Sequence, residues 1–160
     1  MAGTLKVKIE ENIILDNQDY SSKRVLEVGS IASIVKRIVN IGTNEIGLLG
    51  FGTAYNTELS KSYLAGQFDE DNVRYIRITN LDSTNHIALV LKNENNDEFG
   101  VKVDKGCSFL YCADLAGGVV DTMDSADAAG ITPNSFGDLV DITCAADTAA
   151  CDVEVFVAST

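Results

Sequence analysis

Between Val73 and Tyr111 the sequence VRYIRITNLDSTNHIALVLKNENNDEFGVKVDKGCSFLY sets four apolar, β-branched runs between three short polar breaks, and few architectures accept that pattern. In Val73–Asn80, Ile76 and Ile78 fall on one face while Tyr75, Arg77 and Thr79 fall on the other, the period of a half-buried strand. Leu81–Asn85 is built from Asp, Ser, Thr and Asn, whose short side chains bond nearby backbone and favour turns. Ile87–Leu91 is apolar at every position and is expected to be a central strand covered on both faces. After the polar break Asn93–Glu98, Phe99, Val101 and Val103 alternate with Gly100, Lys102 and Asp104. Asp104-Lys105-Gly106 reads as a short hairpin loop with Gly106 in the left-handed position, and Cys107, Phe109 and Tyr111 share one face of a fourth strand. The expectation is an antiparallel meander of four strands, with a second layer over its apolar face.

The flanking sequence continues in the same manner. Leu5, Val7 and Ile9 alternate with Lys6, Lys8 and Glu10, a strand with one wet face suited to a sheet edge. A short apolar run, Ile13–Leu15, precedes a turn at Asp16–Asp19, and Tyr20–Val28 forms a second strand ended by Val28-Gly29-Ser30. Ile31, Ile34, Val35, Ile38 and Val39 sit at helical spacing with Ser30 available as a cap. The same window is rich in Ile and Val and surrounded by strands, so Ile34–Ile41 is read as a strand with Lys36-Arg37 facing solvent. Glu45–Phe51 continues the β pattern, Thr53–Gly66 reads as a loop, and Leu139–Cys144 with Asp152–Ala158 reads as a closing hairpin. Ala113–Gly137, rich in Ala, Gly, Asp and Ser, is a long connection suited to an interaction arm. The fold class expected is all-β: an antiparallel β-sandwich, jelly-roll-like, of about ten short strands, in a single domain over residues 1–160.

Charge narrows the partners. Twelve basic residues against 24 acidic ones give a formal −12, which disfavours nucleic acid and anionic membrane surfaces and keeps free copies apart. The start MAGTLKVKIEEN lacks the apolar core of a secretory signal, and no apolar run approaches the ~18 residues of a membrane span, so synthesis and folding in a cytoplasm are expected.

Chemistry-bearing residues are sparse. His86, the one histidine, is where a nucleophilic triad or histidine metal site would have to be built; it reads instead as a strand-end residue. Asp121, Asp124 and Asp127 offer carboxylates for calcium, but not at the alternating spacing of an EF-hand loop. Asp69, Glu70 and Asp71 form an acidic cluster in which a carboxylate pair of the glycosidase kind would need a set separation. Cys107, Cys112, Cys144 and Cys151 contain no Cys-x-x-Cys pair. Cys144 and Cys151 flank a hairpin loop, where they are either bridged or separate buried thiols. Gly47, Gly50, Gly52 and Gly117-Gly118 lack the strand-to-helix setting of a phosphate loop. No catalytic, cofactor-binding or metal residue is assigned. A stand-alone carbohydrate-binding sandwich is the alternative from another class, disfavoured by the absence of tryptophan as a stacking platform.

The stretch TLKVKIEENIILDNQDYSSKRVLEVGSIASIVKRIVNI followed by IGLLGF, the Arg-Ile-Thr-Asn strand and its successors in the central segment, and the ending DVEVFVA together resemble small structural proteins of tailed phages, particularly marine ones. The resemblance covers most of the chain and is poorest over Ala113–Gly137. It implies a non-enzymatic virion protein with no active site and no cofactor. A capsid decoration (cement) or minor capsid role comes first, and a tail or neck component second. The implied partners are the major capsid protein or other virion proteins and further copies of the chain, with the virion as location. Thr53–Asp71 and Ala113–Pro133 are the interface candidates.

Overall fold

The computed structural model describes residues 2–52, 63–112 and 137–160. In chain order the strands are β1 (Gly3–Glu11), β2 (Ile14–Leu15), β3 (Gln18–Asp19), β4 (Ser22–Ile31), β5 (Ser33–Ile41), β6 (Ile46–Phe51), β7 (Gln67–Phe68), β8 (Val73–Asn80), β9 (Ile87–Asn93), β10 (Glu98–Val103), β11 (Ser108–Tyr111), β12 (Leu139–Ala146) and β13 (Cys151–Ser159). The all-β expectation holds. Thirteen strands occur among the described residues rather than about ten, because β2, β3 and β7 are two-residue pairings too short to show a period.

Two sheets form a sandwich-like body. One runs β10-β9-β12-β6-β7 and the other β11-β8-β13-β5. All pairings are antiparallel except β6 with β7, where Gly50 and Phe51 lie beside Gln67 and Phe68 in parallel. Ile76, Ile78, Val153 and Val155 from the second sheet share one buried cluster with Leu48, Leu89, Leu91 and Ile142 from the first. Each such side chain contributes about 1.5–3 kcal/mol when fully buried.

The four central strands lie where the alternation puts them, but they are not one meander. β8 and β11 pair with each other in the four-stranded sheet, while β9 and β10 between them belong to the opposite sheet. Alternation specifies which face of a strand is buried; it does not specify which sheet the strand joins. The same correction applies at the end of the chain. β12 and β13 face each other across the core rather than forming a hairpin. β9 is central in its sheet, yet it is covered on one face only: Ile87, Leu89 and Leu91 are buried while Ala88 is exposed. Small apolar residues tolerate water, so an unbroken apolar run overstates its burial.

Asn80 holds the crossings together. Its fully buried Nδ2 donates to the carbonyls of Asn85 and Val103 (2.9 and 3.2 Å), and its Oδ1 accepts from the Asp82 amide (3.0 Å). Its backbone carbonyl accepts from the amide of Gly106, whose φ of +70° suits the turn expected there. That turn connects the two sheets and is not a hairpin.

The N-terminal strands stand apart. Among the described residues β1 pairs only with β4, and β4 only with β1. At the far end, Asp16 and Asn17 (φ 51° and 62°) make the tight turn between β2 and β3, with both central residues left-handed as a two-residue hairpin requires. β4 does not end at Ser30. Gly3 opposes Ile31 and Leu5 opposes Val28, so β4 carries an extra residue there, with Ser30 at φ 60°, and runs on to Ile31. The chain then enters β5, which confirms the strand reading of Ile34–Ile41 against the helical one. At the root of this arm, Leu5, Val7 and Val28 pack on Ile31, Tyr75, Ala158 and Phe156, on the outer face of the four-stranded sheet.

Candidate functional site

His86 begins the segment leading into β9 at one end of the sandwich. Its Nδ1 lies 3.5 Å from Asp147 Oδ2, and both side chains are partly exposed. Asp82 beside it accepts from the amides of Thr84 and Asn85 (both 2.6 Å), and these backbone bonds hold its carboxyl below the usual range. Thr148 Oγ1 donates to Asn85 Oδ1 at 2.7 Å. These contacts tie two turns together. Among the described residues His86 has no hydroxyl or thiol within hydrogen-bonding range, so the imidazole and carboxylate pair lacks the nucleophile a triad needs.

The acidic cluster before β8 is a capped turn. Asp69 accepts from the amide of Asp71 (3.1 Å) and from Asn72 Nδ2 (2.8 Å), opening a single 3-10 turn over Glu70–Asn72. Glu70 is raised above its ordinary value, first by burial and then by the charges of Asp138, Asp71, Asp69 and Glu94. Among the described residues no group of three or more His, Cys, Asp or Glu is arranged to hold a metal ion. Asp121, Asp124 and Asp127 lie outside the described residues, as do Thr53–Ser62 and Ala113–Pro133 of the expected interfaces. Of those interfaces, Tyr63–Asp71 is described. There the Tyr63 hydroxyl donates to the buried carboxylate of Asp141 (Oδ2, 3.4 Å), and burial with that charge pushes Tyr63 up to about 12. Leu64 and Ala65 are anchored against β6 by backbone bonds to Gly47 and Leu48, while Leu64, Asp69 and Asp71 keep exposed side chains.

The four cysteines are free thiols. Cys144 and Cys151 are buried, and burial foremost pushes Cys144 up to about 12, so it is held as an inert thiol. Cys107 and Cys112 are exposed.

Among the described residues most of the exposed large apolar side chains lie on the arm. On one ribbon face Leu5, Val7 and Ile9 oppose Val28, Leu26 and Arg24; on the other Lys6, Lys8 and Glu10 oppose Glu27, Val25 and Lys23. The apolar face is covered only at its root. Further out, Ile9 and Leu26 are open to solvent, and the tip exposes Ile13, Ile14 (75% exposed), Leu15 and Tyr20. Ile34 and Ile38 of β5 (56% and 61% exposed) add apolar area on the outer face of the adjoining sheet. Two hollows of ≈ 340 and ≈ 280 Å³ flank the root, one against Ile31 and Ile34, the other against Tyr75, Arg77 and Phe156. Beneath the second, Glu154 bonds Lys36 and Arg77 (3.0 and 2.5 Å), and Arg77 lies 5.9 Å from the Phe156 ring centre. Lys36 is thus engaged on the sheet's outer face.

The arm carries little of the net charge. Four basic and five acidic residues lie between Gly3 and Ile31, which leaves −11 of the formal −12 on the rest of the chain. Both strands were expected from the sequence, but not their separation from the sandwich. The available signal was Asp16-Asn17 between two apolar runs, a hairpin mark, together with adjacent apolar residues Val25-Leu26, which put apolar side chains on both faces of the strand.

A scan against protein-family models matches none of them, and a search of the curated proteins finds no similar sequence.

Proposed function

We propose that this chain is a non-enzymatic structural subunit of a tailed-phage virion, a jelly-roll-like sandwich that binds and stabilises the capsid shell as a decoration protein. The observation that carries this reading is the arm. A two-stranded ribbon is marginal in water by itself, yet here it exposes Ile9, Ile13, Ile14, Leu15 and Leu26 well beyond its root. Exposed apolar surface continuous with a packed core marks a surface that becomes buried on assembly. The strongly acidic body suits docking on a basic region of a larger shell. A tail or neck position would use the same arm at lower copy number.

Quantitative mass spectrometry of purified particles tests this. A simple ratio to the major shell protein supports decoration, and a few to a few dozen copies would move the chain to the tail or neck. Absence from particles would end the virion reading.

A further inference from the structure

We propose that two copies of this chain pair in solution through the outer edges of their β4 strands, antiparallel and centred on Val25. The two ribbons then become one four-stranded sheet, in the order β1-β4-β4-β1.

β1 and β4 each leave one edge of the ribbon open among the described residues, and β4 is the more exposed of the two. Every residue from Ser22 to Glu27 is exposed, whereas on β1 Leu5 and Val7 are half-buried against the sandwich. Among the described residues β4 has β1 as its one hydrogen-bonded neighbour, so its other edge presents backbone donors and acceptors. From Ser22 to Glu27 it contains no proline, no glycine and no bulge; the irregularity at Ser30 comes only at the root.

The side chains specify the register. Within one ribbon Lys6 opposes Glu27 (2.8 Å between charges) and Lys23 opposes Glu10 (4.0 Å). A twofold axis at Val25 sets Lys23 of each copy opposite Glu27 of the other. Each charged row across the joined sheet then reads Lys6, Glu27, Lys23, Glu10, alternating in sign throughout. Between the two rows, Val25 meets its own counterpart and covers an apolar side chain that otherwise stands among charges with 51% of its surface exposed. On the other face Leu26 meets Arg24, and the apolar residues of both ribbons lie on one side. Competing registers lose these matches. An axis at Arg24 sets two guanidinium groups opposite each other, and an axis at Leu26 sets Glu27 against Val25. A one-residue slip puts the apolar face of one ribbon beside the charged face of the other. Four strands with one apolar face also supply the stability that two lack. The pairing does not depend on the virion reading, which particle composition tests separately.

The test is sedimentation velocity over a concentration series with wild type, Lys23→Glu, Glu27→Lys and an equimolar mixture of the two variants. Wild type is expected to show a monomer–dimer equilibrium. Each variant places like charges opposite one another at both contacts, and its dimer dissociation constant is expected to rise about tenfold or more. In the mixture, the substituted position 23 of one copy faces the substituted position 27 of the other, and the two unsubstituted positions also face each other. Both contacts then pair opposite charges again, so the mixture is expected to recover dimer, which a variant that merely loosened the arm would not do. In a background with Cys107 and Cys112 changed to Ser, Val25→Cys is expected to form a disulfide-linked dimer on oxidation, since paired strands bring opposite Cα atoms within bridging range. A monomeric wild type at every concentration, variants that dimerise like wild type, a mixture that fails to recover dimer, or no cross-link at position 25 would each overturn the proposal.

Discussion

The ring of Tyr63 occupies the space that any side chain at position 50 would need: a Cβ on Gly50 would lie 2.4 Å from Tyr63 Cε2. This contact closes the segment before β7 onto β6 and brings the Tyr63 hydroxyl to Asp141. Gly50→Ala is therefore expected to cost about 1–3 kcal/mol, because the ring is pinned by its own hydrogen bond and has little room to give. Chemical denaturation of the variant against wild type measures it, and an unchanged midpoint would mean that the ring moves freely.

Ile78 is fully buried on β8, opposite Phe109 on β11 and Val155 on β13. Ile78→Asp places an unpaired charge at the centre of the core and is expected to abolish folding. A soluble variant with the wild-type melting temperature would contradict the register of β8.

Asn80→Ala removes the donor to the Asn85 and Val103 carbonyls and the acceptor for the Asp82 amide at once. Leaving the Val103 carbonyl buried without this partner is expected to cost about 1–3 kcal/mol, and the lost Asp82 contact adds to that. Hydrogen exchange of the Leu81–Asn85 and Asp104–Gly106 turns should accelerate together, since one side chain holds both.

Two carboxylates respond to pH with opposite sign. Glu154 is held below its ordinary value, first by Lys36 and then by Arg77. It stabilises the fold above the unfolded-state value, and that contribution is lost as pH falls through its lower folded value. Glu70 is raised, so its ionisation opposes folding at neutral pH and protonation relieves it. Glu154→Gln is expected to lower the melting temperature at neutral pH, with the difference from wild type shrinking in acid. Glu70→Gln is expected to raise it at neutral pH. Melting curves from neutral pH into the carboxylate range distinguish the two.

Native thiol titration is expected to find Cys107 and Cys112 reactive and Cys144 and Cys151 protected until unfolding, when four thiols appear. Two thiols after unfolding would instead reveal a bridge between Cys144 and Cys151.

Much of this fold is legible in side-chain alternation. Val73–Asn80 and Phe99–Val103 show it and are strands at the expected positions, although Tyr75 on the outer face of β8 is buried under the arm and Phe99 at the start of β10 is exposed. The partners of these strands are not legible the same way. β8 and β9 have equally apolar inner faces, and only the assembled core shows that they lie in opposite sheets. The arm is hidden in the sequence for a related reason. Leu5, Val7 and Ile9 alternate as a sandwich strand would, but only Leu5 and Val7 reach a body to pack on. Ser30 departs from its expected place as a strand end because a left-handed residue can widen a strand as well as end one.

The passage from β4 into β5 has a mechanical consequence. A pull on the arm enters the body through Ser33 and is borne by the ladder from Ser33↔Ser159 to Ile41↔Cys151, with β13 held in turn by β8. Antiparallel hydrogen bonds lie across the strands, so tension along β5 strains the whole ladder in shear instead of peeling it bond by bond. A load on the arm directed along β5 would thus be shared by the sheet before any one strand could be drawn out.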